Sequence, residues 1–316
     1  MIAASPEQRV ATVHVYTHPA CLAHDTGPAH AERPERLAAV TGALHDAFPD
    51  RLQWHEAPRA THEQLSRAHV PALLHSVLDA APSQRILLDP DTVLSPGSAE
   101  AALRAAGAAV AAVDAVLSGA CTRAFCAVRP PGHHATADTA MGFCLFNNVA
   151  VAALHALDAH GLQRVAIADF DVHHGNGTQA IFEGDARVLF LSSHQMPLYP
   201  GTGEASETGV GNIHNAPLPP DTGSDGFRHA WETRLLPAID GFRPQLVLVS
   251  AGFDAHARDP LAQMGLVADD YAWLTRRLVA LAQRHADGRI VSLLEGGYDL
   301  AALRESSVAH VAALLD

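Results

Sequence analysis

Short apolar, β-rich runs alternate with Ala- and Leu-rich segments of helical length along nearly the whole chain. The runs predict strands at 12–16 (TVHVY), 123–128 (RAFCAV), 164–168 (RVAIA), 187–191 (RVLFL), 245–250 (QLVLVS) and 289–294 (RIVSLL). Helices are predicted at 34–47, 62–67, 71–79, 98–118, 144–159, 176–183, 226–239, 269–286 and 299–314. The clearest is 98–118, with Ser98 as its N-cap, Glu100 in the first turn and Gly119 as the stop. Alternation of this kind predicts an α/β fold with a mostly parallel central sheet flanked by helices on both faces. The longest irregular stretch, 192–224, holds several Gly and Pro; strands resume after it, so it reads as a functional loop inside one domain spanning 1–316.

The densest polar clusters follow the strands: RPPGHH (129–134), DFDVHHGNG (169–177), SSH (192–194), AGFDAH (251–256) and EGGYD (295–299). In open parallel sheets the ligand crevice lies at the carboxyl ends of the strands, so these five clusters should converge on one site.

Side chains at i, i+2 and i+4 of an extended segment point the same way, which puts Asp169, Asp171 and His173 on one face. An Asp-x-His pair offers a carboxylate oxygen and an imidazole nitrogen to a borderline transition metal. Asp254 is the natural third ligand, because a lone carboxylate after the apolar run QLVLVS is costly to bury unpaired. Either acid alone reads better as a cap or loop residue; their joint position favours a metal. Two Asp and one His leave coordination positions open, the mark of a catalytic ion that activates water and polarises a carbonyl. Hydrolysis then needs a proton shuttle, and His133 and His134 stand adjacent on a loop kept out of helix by Pro130, Pro131 and Gly132. Asp169 and Asn176 are suited to fixing the histidine tautomers. Tyr298 follows two glycines and can offer its phenol to a developing oxyanion; by itself GGY would read as a turn before helix 299–314.

Composition narrows the class. No apolar run approaches the ~20 residues of a membrane helix, and the start MIAASPEQRV lacks a secretory pattern, so a cytoplasmic location is expected. The four cysteines form no CxxC pair and read as reduced packing residues. A net charge of −13 argues against a nucleic-acid partner, and fits either a cationic substrate or a solvated acidic surface. GxSxG, Walker A, GxGxxG and HExxH are all missing from the sequence. One metal is favoured over two, since no acid stands two positions beyond His173 or Asp254.

Taken together, HDTGPAHAERPERL, RPPGHHA, MGFCLFNNVAVAA, DFDVHHGNGT, YPGTG, SAGFDAH and LEGGYD resemble the histone deacetylase and acetylpolyamine amidohydrolase family of the arginase/deacetylase fold. The likeness runs from about residue 14 to 314; RPPGHHA, LEGGY and Asn176 resemble its class II-like bacterial branch. It implies a sheet of about eight strands. It also implies that Asp171, His173 and Asp254 bind Zn2+, with Fe2+ as the alternative ion. His134 would be general base and then acid, His133 would stabilise charge, and Asp169 and Asn176 would support His133 and His134. Tyr298 would polarise the acyl carbonyl. By the same resemblance Gly142 and Phe143 wall an acyl-lysine tunnel opposite Tyr199, and Leu261 lines it where a Glu would favour polyamines. Asp91 corresponds to a rim carboxylate and Arg36 to an arginine beneath the site. Asp169, Asp171, His173, Ser192 and Ser193 would hold K+, partly through carbonyls. His174 is left a structural role. Ala31 departs from the usual GHPERPERL loop. The activity implied is zinc-dependent deacetylation of an acylated lysine in a peptide or protein. The alternatives are an acetylated small amine as substrate, as in acetylpolyamine amidohydrolases, and a noncatalytic acyl-lysine- or partner-binding module. Neither nucleic acid nor membrane is expected as a partner, and a homo-oligomer is left open.

Overall fold

The computed structural model describes residues 12–316; the start MIAASPEQRV, which carries the expectation of no secretory signal, lies outside the described residues. In chain order the elements are β1 (Val13–Thr17), α1 (Pro34–Ala47), β2 (Leu52–Glu56), α2 (His62–Ser66), α3 (Pro71–Leu78), β3 (Ile86–Asp89), β4 (Thr92–Leu94), α4 (Ser98–Leu117) and β5 (Arg123–Cys126). There follow α5 (Asn148–Asp158), β6 (Val165–Asp169), α6 (Asn176–Phe182), β7 (Val188–Gln195), β8 (Ile213–Leu218), α7 (Ser224–Ala230), α8 (Leu236–Phe242), β9 (Leu246–Ala251), α9 (Ala268–His285), β10 (Ile290–Leu294) and α10 (Leu300–Leu315).

Eight strands form one sheet in the order β2-β1-β5-β10-β9-β6-β7-β8, and every pairing is parallel. β5, β6, β7, β9 and β10 are buried at every residue, as strands covered on both faces must be. Helices α1, α10 and α9 pack on one another over one face, and α4, α5 and α6 over the other. Side-chain caps start two of them: Asn147 accepts from the amide of Ala150 for α5, and Asp299 from that of Ala302 for α10.

Several expectations are corrected. The two edge strands went unpredicted because they lack the apolar run: β2 is LQWHE, half-exposed, and β8 is IHNAPL, inside the stretch 192–224 read as irregular. Pro217 is tolerated in β8 because that strand is an edge. The hairpin β3–β4 was also unpredicted; its turn carries Pro90 and Asp91. Ser98 is not the N-cap of α4 but its first residue, after Gly97. Its hydroxyl accepts from the amide of Ser95 at 2.7 Å and bonds Nδ1 of His24 at 2.7 Å, pinning an upstream loop to the helix. The helix expected over 226–239 is broken by a π segment, Trp231–Leu235, one turn before Pro237, which has no N–H to continue the α ladder.

Candidate active site

β5, β10, β9 and β6 are neighbours in the sheet, and the segments leaving their carboxyl ends carry PPGHH, EGGY, AGFD and DFDVHH. Four of the five polar clusters thus meet at one edge of the sheet. The fifth, SSH, lies within β7 and not after it.

Asp169 ends β6, and the chain then leaves the strand, burying Phe170 and Val172 in the core while Asp171 and His173 turn to the site. Asp171, His173 and Asp254 are all buried, with one donor atom from each within 4.8 Å of the others. Nδ1 of His173 stands 3.1 Å from Oδ1 of Asp171 and 3.2 Å from Oδ2 of Asp254. Oδ2 of Asp254 is buried without a hydrogen bond. Burial disfavours charge on His173, but Asp171 and Asp254 outweigh it and push its pKa up to about 10. Two carboxylates around one imidazole form a site short of positive charge. An orphaned carboxylate oxygen and an N,O,O donor set fit a divalent cation of the zinc type.

The glycines of the motifs make this closeness feasible. A Cβ on Gly252 would lie 2.0 Å from Oδ2 of Asp171, and one on Gly296 would lie 2.0 Å from Oδ2 of Asp254. Gly296 donates its amide to Oδ2 of Asp171 at 2.8 Å. Gly252 and Gly296 therefore admit the carboxylates themselves.

The adjacent histidines are held differently. Nδ1 of His133 donates to Oδ2 of Asp169 at 2.9 Å, and its Nε2 lies 3.8 Å from Oδ1 of Asp171. Burial opposes its charge, yet Asp169 and Asp171 prevail and hold its pKa well above the ordinary histidine value. His134 donates from Nδ1 to Oδ1 of Asn176 at 2.7 Å, which leaves Nε2 as the basic nitrogen. Burial, then the neighbouring His133 and His173, hold its pKa well below the ordinary value. The two rings are thus pushed in opposite directions, the separation an acid–base pair uses.

Tyr298 is buried, and its hydroxyl is held protonated first by burial and then by Asp254. The guanidinium of Arg36 lies 4.9 Å from the centre of its ring. Arg36 donates Nε to the carbonyl of Gly297 at 2.6 Å and pairs with Glu32 at 3.0 Å, so it braces the GGY turn from beneath.

A cavity of about 230 Å³ descends to these groups. His134, His173 and Tyr298 lie on its wall together with Asp91, Gly142, Phe143, Tyr199 and Leu261. Phe143 adopts a left-handed φ of 68° and its ring stands edge-on to Tyr298 at 5.8 Å. Tyr199 meets His134 edge-on at 5.1 Å. Asp91 sits in the β3–β4 turn, accepting from the Thr92 hydroxyl at 3.0 Å. Among the described residues a surface groove of about 290 Å³ near Leu236 is comparable in size, but its Arg277 and Arg284 are already paired with Glu232 and Asp240.

The serines fit less directly. Ser192 lies in register beside Asp169, with its hydroxyl bonded to Nδ1 of His194 at 2.9 Å, while the Ser193 hydroxyl accepts from Trp231 at 3.0 Å. His174 faces away from the cavity wall, bonding Thr202 at 2.8 Å and Gln179 at 2.9 Å.

Three residues of the site were not anticipated. Leu198 joins the cavity wall beside Tyr199. Glu295 accepts from the amides of Gly132 at 2.7 Å and His133 at 3.2 Å, tying the histidine loop to β10. The argument applied to Asp254, an acid at the end of an apolar strand, applies equally to Glu295. Asp259 accepts from the amides of Leu261 at 3.0 Å and Tyr298 at 2.7 Å, joining two walls of the cavity. Only its turn-forming Asp-Pro sequence could have drawn notice.

A family profile described as the histone deacetylase domain matches residues 30–314. A probable deacetylase of Archaeoglobus fulgidus is 41% identical over 305 residues, covering 94% of this chain and 84% of its own. A histone deacetylase-like amidohydrolase of Pseudomonas aeruginosa is 44% identical over 275 residues, covering 85% of this chain and 72% of its own. A solved structure described as the HDA15 HD domain superposes with a TM-score of 0.91 at 36% identity, covering 97% of this chain and 88% of that one.

Proposed function

The chain belongs to the histone deacetylase family, and from that premise we propose that it hydrolyses the amide of an acylated amine, with acetyl-lysine in a peptide or protein as the favoured substrate. The observation that carries the proposal is the divided histidine pair, Nδ1 of His133 on the carboxylate of Asp169 and Nδ1 of His134 on the amide oxygen of Asn176, with His134 lining the cavity beside the acid-rich donor set. A noncatalytic binder has no use for that division.

Asp171, His173 and Asp254 would hold the ion; zinc, when bound, supplies Lewis acidity that lowers the pKa of water and polarises the acyl carbonyl. The acyl-lysine stem runs between Phe143, Leu198, Tyr199 and Leu261, whose apolar surfaces exclude water from it. Nε2 of His134 takes the proton of the attacking water, because Asn176 keeps the other ring nitrogen protonated. The charge of His133, fixed by Asp169, faces the developing negative charge. Tyr298 donates its hydroxyl to the oxyanion, and Arg36 and Asp259 hold the turn that presents it. His134 then returns the proton to the departing amine. Asp91 at the mouth accepts from substrate backbone amides. K+ among Asp169, Asp171, His173, Ser192 and Ser193, and a cytoplasmic location, complete the proposal.

Leu261 favours this substrate over an acetylated polyamine, since it places no carboxylate near a second ammonium. Replacing Tyr298 with Phe tests the chemistry. Release of acetate from an acetyl-lysine peptide should fall by about two to three orders of magnitude in kcat. Undiminished turnover would remove Tyr298 from the mechanism, and an acyl-amine panel with no acetate release at all would favour the noncatalytic alternative.

A further inference from the structure

A second set of metal-ligating side chains meets away from the cavity, on the surface where the ends of α4 and α5 approach. Asp114 of α4, His155 of α5 and His160 just beyond it bring a carboxylate oxygen and two imidazole nitrogens within 4.8 Å of one another. Oδ1 of Asp114 lies 2.7 Å from Nε2 of each histidine, and the two rings are inclined at 81°, so their nitrogens converge from different directions. We propose that Asp114, His155 and His160 form a second, surface site for a borderline divalent cation such as Zn2+, Co2+ or Ni2+, with solvent completing the coordination.

The N,N,O donor set suits such ions and not Mg2+ or Ca2+, which prefer oxygen. Two of the ligands project from helices already packed together, so little order remains to be imposed. The His155 side chain is 9% exposed and that of Asp114 52%, which anchors one ligand and leaves an open approach. Ligand edges around a tetrahedral ion with bonds of about 2.0–2.1 Å are about 3.3 Å. The 2.7 Å contacts must therefore open slightly, which rotation of the exposed Asp114 carboxylate accomplishes.

Arg67 opposes the ion. It donates to Nδ1 of His155 at 2.9 Å, which puts the ring proton on Nε2, against Asp114. Binding requires the other tautomer: Arg67 releases Nδ1, keeps its 2.9 Å pair with Glu63, and the ring proton relocates to Nδ1 by exchange with water.

Equilibrium dialysis of the full-length protein against Zn2+, with metal analysis, should give two ions per chain. Asp114→Ala and His160→Ala should each weaken one equivalent by at least about tenfold, a loss seen even for outer-shell partners. They should leave acetate release unchanged. Asp254→Ala should lose the other equivalent, which separates this site from the proposed catalytic one. His75→Ala, which breaks a simple exposed His–Asp pair, should lose none. Arg67→Met should tighten the surface equivalent. A single ion in the wild type that Asp254→Ala removes, wild-type stoichiometry in Asp114→Ala and His160→Ala, or weaker binding in Arg67→Met would each overturn the proposal.

Discussion

One methyl group at Gly296 tests the core of the site. A Cβ there would lie 2.0 Å from Oδ2 of Asp254 and 2.6 Å from Oδ2 of Asp171, where 3.0 Å is the practical floor for such contacts. Alanine must therefore displace the Asp254 carboxylate by about 1 Å, the difference between 3.0 and 2.0 Å. The carboxylates cannot swing aside freely. Oδ1 of Asp254 accepts from the amide of Val172 at 2.9 Å, Oδ1 of Asp171 from that of His173 at 2.9 Å, and both side chains are fully buried. A misplacement of about 1 Å at a reacting centre costs about a hundredfold, or ~2.7 kcal/mol of transition-state stabilisation. The assay is kcat/KM on an acetyl-lysine peptide, with zinc content per chain measured on the same sample. Gly296→Ala should lose roughly a hundredfold in kcat/KM and retain less zinc after dialysis. Gly297→Ala is the control: its φ is +118° and its Cβ would meet Leu303 at 3.0 Å and Phe253 at 3.2 Å. That change should lower the melting temperature before it lowers zinc content. Wild-type kcat/KM and full zinc in Gly296→Ala would refute the assignment of these carboxylates as the ligand pair.

Three further outcomes follow from other residues. Asn176→Asp places a full negative charge 2.7 Å from Nδ1 of His134, so the acid limb of the kcat/KM–pH profile should move to higher pH; an unmoved limb would count against His134 as the base. Leu261→Glu should raise kcat/KM for acetylated putrescine relative to an acetyl-lysine peptide, read from parallel progress curves, and an unchanged ratio would exclude that position from specificity. Glu32 is fully buried, and although burial alone would raise its pKa, Arg129 and Arg36 bring it down to about 2 from 4.5. A depressed carboxylate contributes stability that is present above the unfolded value and lost as pH falls from about 4.5 through about 2. That contribution is roughly 3 kcal/mol. Glu32→Gln, which strands two buried arginines, should cost about 3–5 kcal/mol in denaturant unfolding at pH 7, and a loss below 1 kcal/mol would refute the pairing.

How much of this was legible in the chain depended on burial. The central strands could be read because burial on both faces turns them into apolar runs such as VLFL and LVLV. LQWHE and IHNAPL could not, since an edge strand needs only half its residues apolar and can hold a proline. The same logic applies to the site. Asp171, His173, Asp254, His133 and His134 announced themselves as polar clusters directly after such runs, and the structure brings them together. Asp259 acts on the site through backbone amides, so no side-chain pattern marks it, and Arg36, which bonds a backbone carbonyl, was reached only through the resemblance of its loop. Ser98 misled because its hydroxyl bonds a residue 74 positions away instead of its own helix.

Among the described residues, some buried charges at the end of the sheet are fully paired and others are not. Glu32 meets Arg36 and Arg129, and Asp169 meets His133. Asp171 and Asp254 share a single imidazole, and one oxygen of Asp254 has no hydrogen bond at all. A buried carboxylate so poorly compensated costs several kcal/mol, which a cation held by the donor set would offset. The imbalance also bears on the proposed proton shuttle, because Asp171 stands second only to Asp169 in pushing the His133 pKa up. His133 in turn helps push the His134 pKa down. The donor set and the acid–base pair are therefore one electrostatic unit, and a substitution that neutralises Asp171 should disturb the protonation of both histidines along with metal affinity. Such a unit can exist here because four parallel strands end side by side, so that backbone amides of Val172, His173 and Gly296 can share the burden of the two carboxylates.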